Sequence, residues 1–118
     1  MANASTSAAD ESSSILPHKS LYEAVEAGDL NTVKVLLERN PNDVRAKINM
    51  IGENALHVAV LAEKEKIVEE LMKLMSKEDL EMKTNTGYTA FDLAALNGKI
   101  DMAKLMLEKN KDFYHKKW

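Results

Sequence analysis

Cysteine is absent from the 118-residue chain, so neither a disulfide framework nor a thiolate metal site can form, and nothing points to secretion. A reducing, cytoplasmic setting is expected. Aromatics are scarce, and Gly (4) and Pro (2) are too few to punctuate a sandwich or barrel built on tight turns. With Leu, Ala, Val, Ile and Met as the apolar majority, the expectation is an all-α fold. There is no surplus of positive charge either: the formal net charge is -3, which gives no electrostatic reason to expect nucleic acid as a partner. No run of about 18 apolar residues occurs, so no transmembrane segment is expected in this chain.

The start, MANASTSAADESSSI, has neither the basic opening nor the apolar stretch of a secretory signal. Its acidic Asp10 and Glu11 argue against an organelle transit peptide. Residues 1–18 read as a disordered lead, and the remaining length suits one modest domain.

What is present becomes legible when the chain is slid against itself by 35 positions. SLYEAVEAGDLNTVKVLLE from Ser20, NALHVAVLAEKEKIVEELMK from Asn54 and TAFDLAALNGKIDMAKLMLE from Thr89 then align. Leu21, Leu56 and Phe91 fall in register, as do Ala24, Ala59 and Ala94, then Val33, Val68 and Ala103, then Leu37, Met72 and Leu107. A fixed period of this size is the mark of stacked repeats, none of which closes a core alone.

Each unit reads as a short first helix rich in small residues, a break near Gly28 or Gly98, and a longer amphipathic second helix. Asn54 and Thr89 suit the N-cap position of their first helices, and Ser20 is expected to cap the first unit in the same way. At LLERNPND, Asn40 is expected to take a left-handed cap conformation, with Pro41 preventing continuation. INMIGENAL and KTNTGYTAF carry Gly52 and Gly87 shortly before the next helix, where a tight turn needs a positive φ.

These residues resemble the ankyrin repeat, whose unit is a Gly-x-Thr-Pro-Leu-His-x-Ala-Ala turn and helix, a Gly, and a second helix ending in Leu-Leu. Unit two keeps Gly52, Leu56, His57 and Ala59, with Asn54 for Thr, Ala55 for Pro and Glu63 for the inter-helix Gly. Unit three keeps Gly87, Thr89, Ala94, Ala95 and Gly98, with Phe91 for Leu and Asp92 for His. Unit one begins inside the motif and has Tyr22 in the His place, with Gly28 retained. The resemblance implies a solenoid of about three helix-turn-helix units joined by short β-hairpin-like loops over residues 19–110, with units near 19–48, 49–83 and 84–110. The wording of LYEAVEAGDL, INMIGENALHVAV and DLEMKTNTGYTAFDLAA is also similar to plant ankyrin-repeat proteins of the accelerated-cell-death type. Those proteins end in a membrane-spanning domain, which is not expected within these 118 residues, and the likeness implies stress or defence signalling at the cytoplasmic face of a membrane.

His57 raises the question of chemistry. As a metal ligand it lacks partners: His18 and His115 lie in the flanks, and no His-x-His or HExxH spacing occurs. As a base it lacks a nucleophile, and Asp92 has no second carboxylate or histidine placed to work with it. No phosphate loop or nucleophile elbow is present. By the resemblance His57 bonds across its turn and to a neighbouring unit, so it belongs with Thr89, Gly28, Gly52, Gly87 and Gly98 as structural motif. No enzyme activity, cofactor or metal is expected.

The family's usual docking surface, the turn tips and the inner side of the first helices, maps onto Met50, Ile51 and Glu53, then Asn85, Thr86 and Tyr88. On the first helices it maps onto Glu26 and Ala27, Leu61 and Ala62, Leu96 and Asn97. An apolar strip with one acidic end results, suited to a protein partner of unknown identity. Burial of Leu61 and Leu96 against each other is the competing reading. In the run EKEKIVEE, Glu69 is expected to pair with Lys73 on a solvated face. The tail, residues 111–118, is basic and aromatic. It reads as a cap over Met102 and Met106 or a truncated repeat in preference to a membrane-surface contact.

Overall fold

The computed structural model describes residues 18–110, so the expectations for the lead before residue 18 and for the tail from 111 onward lie outside the described residues. Among the described residues there are six α-helices and no strand, arranged as three consecutive antiparallel pairs. The first pair is α1 (Lys19–Ala27) and α2 (Leu30–Arg39), the second α3 (Ala55–Leu61) and α4 (Glu65–Leu74), the third α5 (Ala90–Leu96) and α6 (Ile100–Lys109). First helices stack on first helices, α1 on α3 on α5, and second helices on second helices, α2 on α4 on α6.

Burial follows from that order. Helix α3 has a neighbour on both sides, and every residue from Ala55 to Val60 is buried. Helix α5, with one described first-helix neighbour, buries Ala90, Phe91 and Ala94. Alanines at the equivalent positions 24, 59 and 94 are all buried, which lets the first helices approach closely. The second helices add Val33 and Leu37, then Ile67, Val68, Leu71 and Met72, then Met102, Ala103 and Met106. Together these residues form one continuous apolar layer between the two helix rows.

The turn inside each pair repeats with the period. Asp29, Lys64 and Lys99 each donate their N–H to the carbonyl of Ala24, Ala59 and Ala94 at 2.9, 2.9 and 2.8 Å. The preceding residues, Gly28, Glu63 and Gly98, bond to Val25, Val60 and Ala95. This pair of bonds is a Schellman cap, and it requires a left-handed residue in the middle. Gly28 and Gly98 supply it with φ of 76° and 70°, and Glu63 adopts φ 62° despite its Cβ. A left-handed non-Gly residue costs about 1–2 kcal/mol, and here the Glu63 carboxylate reaches Lys99 Nζ of the next unit at 2.9 Å.

Three local expectations are corrected. Ser20 does not cap α1: the helix begins at Lys19, with His18 at the N-cap and no side-chain cap bond. Asn40 is not left-handed, its φ being -137° and ψ 81°, because Pro41 follows it and disfavours helical backbone in the residue before. Pro41 then opens a 3-10 turn, Pro41–Arg45, that buries Val44. Lys73 pairs with Glu70 at 3.5 Å rather than with Glu69. A second 3-10 turn, Asp79–Glu81, buries Leu80 in the same place of the next unit.

Candidate functional site

The loops ahead of α3 and α5 are built alike. Ile48 N–H donates to the Glu53 carbonyl at 2.7 Å and Thr84 N–H to the Tyr88 carbonyl at 2.8 Å, closing each hairpin-like loop. The two tips are then tied to one another. Asn85 donates its backbone N–H to the Ile51 carbonyl at 3.1 Å and its side-chain amide to the Met50 carbonyl at 3.2 Å. Gly52 is required for this approach: φ is 77°, and a Cβ there would lie 2.2 Å from Asn85 Oδ1.

His57 sits at the foot of its loop, buried. Its Nδ1 accepts from the Asn54 N–H at 3.0 Å, and its own N–H donates to Asn54 Oδ1 at 3.0 Å, a reciprocal capping box. The remaining nitrogen, Nε2, lies 3.0 Å from the Met82 carbonyl and must donate, since a carbonyl only accepts. Both ring nitrogens are therefore committed to backbone, one in its own unit and one in the linker to the next. Burial pushes the His57 pKa down to about 4, with the Lys47 charge acting in the same sense and the bond to Met82 against it. Thr89 and Asp92 form the corresponding box at the start of α5, with bonds of 3.0 and 2.9 Å. Among the described residues no three His, Asp or Glu side chains converge to hold a metal.

The expected contact residues separate into three groups. Met50 is 80% exposed, Leu96 66%, Ile51 57%, Leu61 43% and Tyr88 42%, so Leu61 and Leu96 are not hidden against each other. Asn85, Thr86 and Asn97 are also at the surface, but their polar groups serve the fold. Asn85 ties the tips, the Thr86 hydroxyl lies 3.0 Å from that of Thr84, and the Asn97 amide donates to the Leu93 carbonyl at 2.7 Å.

Glu53 forms the third group and is a correction. It is 7% exposed, with Oε1 accepting from the Asn49 amide at 2.8 Å and its N–H donating to Asn49 Oδ1 at 3.0 Å. Its carboxylate braces the loop from within. On α1, the expected surface residue Glu26 is exposed, as is Glu23 one turn earlier. Glu26 accepts from the Tyr22 hydroxyl at 3.2 Å, and its charge raises the Tyr22 pKa.

Sequence reading passed over Val35, Leu74 and Ile100, which are 45%, 50% and 57% exposed on the second helices. Val33 and Leu37 mark the inward side of α2, and that register could have shown Val35 pointing out. Of these only Leu74 lines a cleft of about 280 Å³, together with Val33, Leu37 and Pro41 and with Lys34, Glu38 and Glu70 around it. Among the described residues no helix is long and apolar enough to cross a membrane.

Stacked helix pairs with tied loop tips define a repeat solenoid, a class that presents an extended surface instead of enclosing a reaction site. Residues 21–117 match the family of ankyrin repeats (3 copies), and the chain belongs to the ankyrin-repeat family. An ankyrin repeat protein of fowlpox virus is 35% identical over 92 residues, covering 78% of this chain and 20% of the viral protein. An ankyrin repeat domain-containing protein of Stachybotrys chartarum is 27% identical over 85 residues, covering 71% of this chain and 4% of the fungal one. The chain thus spans a fifth or less of the length of these relatives. They are viral and fungal, and neither is a plant protein of the accelerated-cell-death type.

Proposed function

We propose that the chain is a non-catalytic protein-interaction module that docks a partner protein on its loop tips and the inner face of its first helices. The observation that carries this reading is the contrast within equivalent units. Large apolar side chains at Met50, Ile51, Leu61, Tyr88 and Leu96 stand in solvent while Leu56, Val60 and Phe91 beside them are buried. Exposed apolar residues that include Met and Tyr are characteristic of interface cores. Tyr88 is the preferred anchor, since its ring offers apolar area and its hydroxyl a polar handle.

Membership of the ankyrin family supports a protein partner and speaks against catalysis. The finer placement, plant stress or defence signalling through membrane-resident relatives at the cytoplasmic face, rests on the likeness of LYEAVEAGDL, INMIGENALHVAV and DLEMKTNTGYTAFDLAA. Co-purification of such a full-length relative with the tagged chain from plant cells tests it; a chain that ignores its relatives refutes it. The main reading is tested by a double variant, Ile51→Glu with Tyr88→Ala. It should lose the partner in pull-down while its circular-dichroism spectrum stays unchanged, and retained binding overturns the proposed face.

A further inference from the structure

The strip has a direction. Position 26 of α1, position 61 of α3 and position 96 of α5 are equivalent by the period, lie at the C-terminal ends of helices stacked side by side, and are all exposed. They read Glu, Leu, Leu. Glu26 has no cation partner among the described residues: its carboxylate touches only the neutral Tyr22 hydroxyl. Glu23, one turn earlier, is held loosely by Lys19 at 4.0 Å, and both members of that pair are more than half exposed. A carboxylate left without a counter-ion at one end of an apolar row is complementary to a cation at one end of an apolar ligand.

Building on the docking reading above, we propose that the partner segment is a peptide with two apolar side chains and a basic one, laid across the helix ends. The apolar pair meets Leu96 and Leu61, and the Lys or Arg meets Glu26 and Glu23. Side-by-side helices lie about 8–10 Å apart, and a polyproline-II chain advances about 3.1 Å per residue with three residues per turn, so that every third side chain faces the same way. Successive contacts therefore fall three residues apart, in the order apolar, x, x, apolar, x, x, basic, or its reverse along the chain. An acidic ligand of the same apolar pattern is repelled at Glu26.

The probe is a phage-displayed library of random dodecapeptides selected on the intact chain, followed by titration of the enriched peptide made synthetically. Enriched sequences should carry the apolar pair and the basic residue at that spacing. Glu26→Lys should weaken the synthetic peptide about fivefold at low salt and less at high salt, and changing the peptide's basic residue to Glu should restore binding to that variant. Enrichment that depends on Leu61 and Leu96, tested with Leu61→Glu and Leu96→Glu, yet ignores Glu26→Lys overturns the charge polarity and leaves the docking face standing. Enrichment insensitive to all three changes, or no enrichment above an unrelated control protein, overturns both.

Discussion

Acidification should weaken the fold through one side chain. His57 is 1% exposed and neutral, donating from Nε2 to Met82 and accepting at Nδ1 from Asn54. A proton added at Nδ1 would place a second donor against the Asn54 N–H and a charge in the core. The pKa is accordingly lowered from 6.5 in the unfolded chain to about 4 in the folded one. Because the folded value is the lower, the unfolded chain takes up the proton first. The stability is complete above pH 6.5 and is lost as pH falls toward 4. At about 1.4 kcal/mol per decade the loss is roughly 1 kcal/mol by pH 6, 2 by pH 5 and 3 near pH 4, a large part of the few kcal/mol expected of a small domain. Urea denaturation followed by circular dichroism at each pH measures it, with His57→Gln as reference so that carboxylate titrations cancel. The advantage of the parent over the variant should shrink by about 3 kcal/mol between pH 7 and pH 4. Parallel curves, or an imidazole proton resonance for His57 titrating near its ordinary value, would refute the reasoning.

Leu56→Ala, at a site 1% exposed, should cost about 2–5 kcal/mol; a thermal melt matching the parent sinks its place in the core. Glu63→Gly removes a left-handed backbone with a Cβ at the expense of a partly exposed ion pair to Lys99, so a gain of up to about 1 kcal/mol is expected in urea titration. A loss would show that the ion pair outweighs the backbone strain. Gly87→Ala meets nothing within 4 Å and bears only the penalty of its φ of 91°. Gly52→Ala adds the collision with Asn85 and should be the more destabilising by roughly 1 kcal/mol or more, since the Asn85 bonds between tips are lost as well. Equal effects would mean that the tie between tips contributes nothing.

The repeat and its helix pairs were legible because apolar positions recur with the period, and because Asn54 and Thr89 are good N-caps that the fold uses as such. Where reading failed, the deciding partner was distant or competing. Nothing local distinguishes Ser20 from a cap, but α1 already begins a residue earlier. Asn40 favours a left-handed cap on its own, and Pro41 overrules it. Glu53 looks like a tip carboxylate until Asn49 folds back upon it. Asn85 was visible as a surface amide, whereas its bonds to Met50 and Ile51 join residues a full repeat apart. Glu63 stood out as a departure from glycine. Its left-handed backbone was set by the Schellman bonds that the other two units also make.

The tie between the loop tips has a further consequence. What Asn85 grips at Met50 and Ile51 is their main-chain oxygen, which every amino acid carries. The two side chains can be exchanged for almost any others without loosening the clasp, provided Gly52 and Asn85 stay. On the proposed docking reading, spacing and recognition are thereby entrusted to different atoms of the same residues: the pitch of the rack stays constant while its inserts are free to vary.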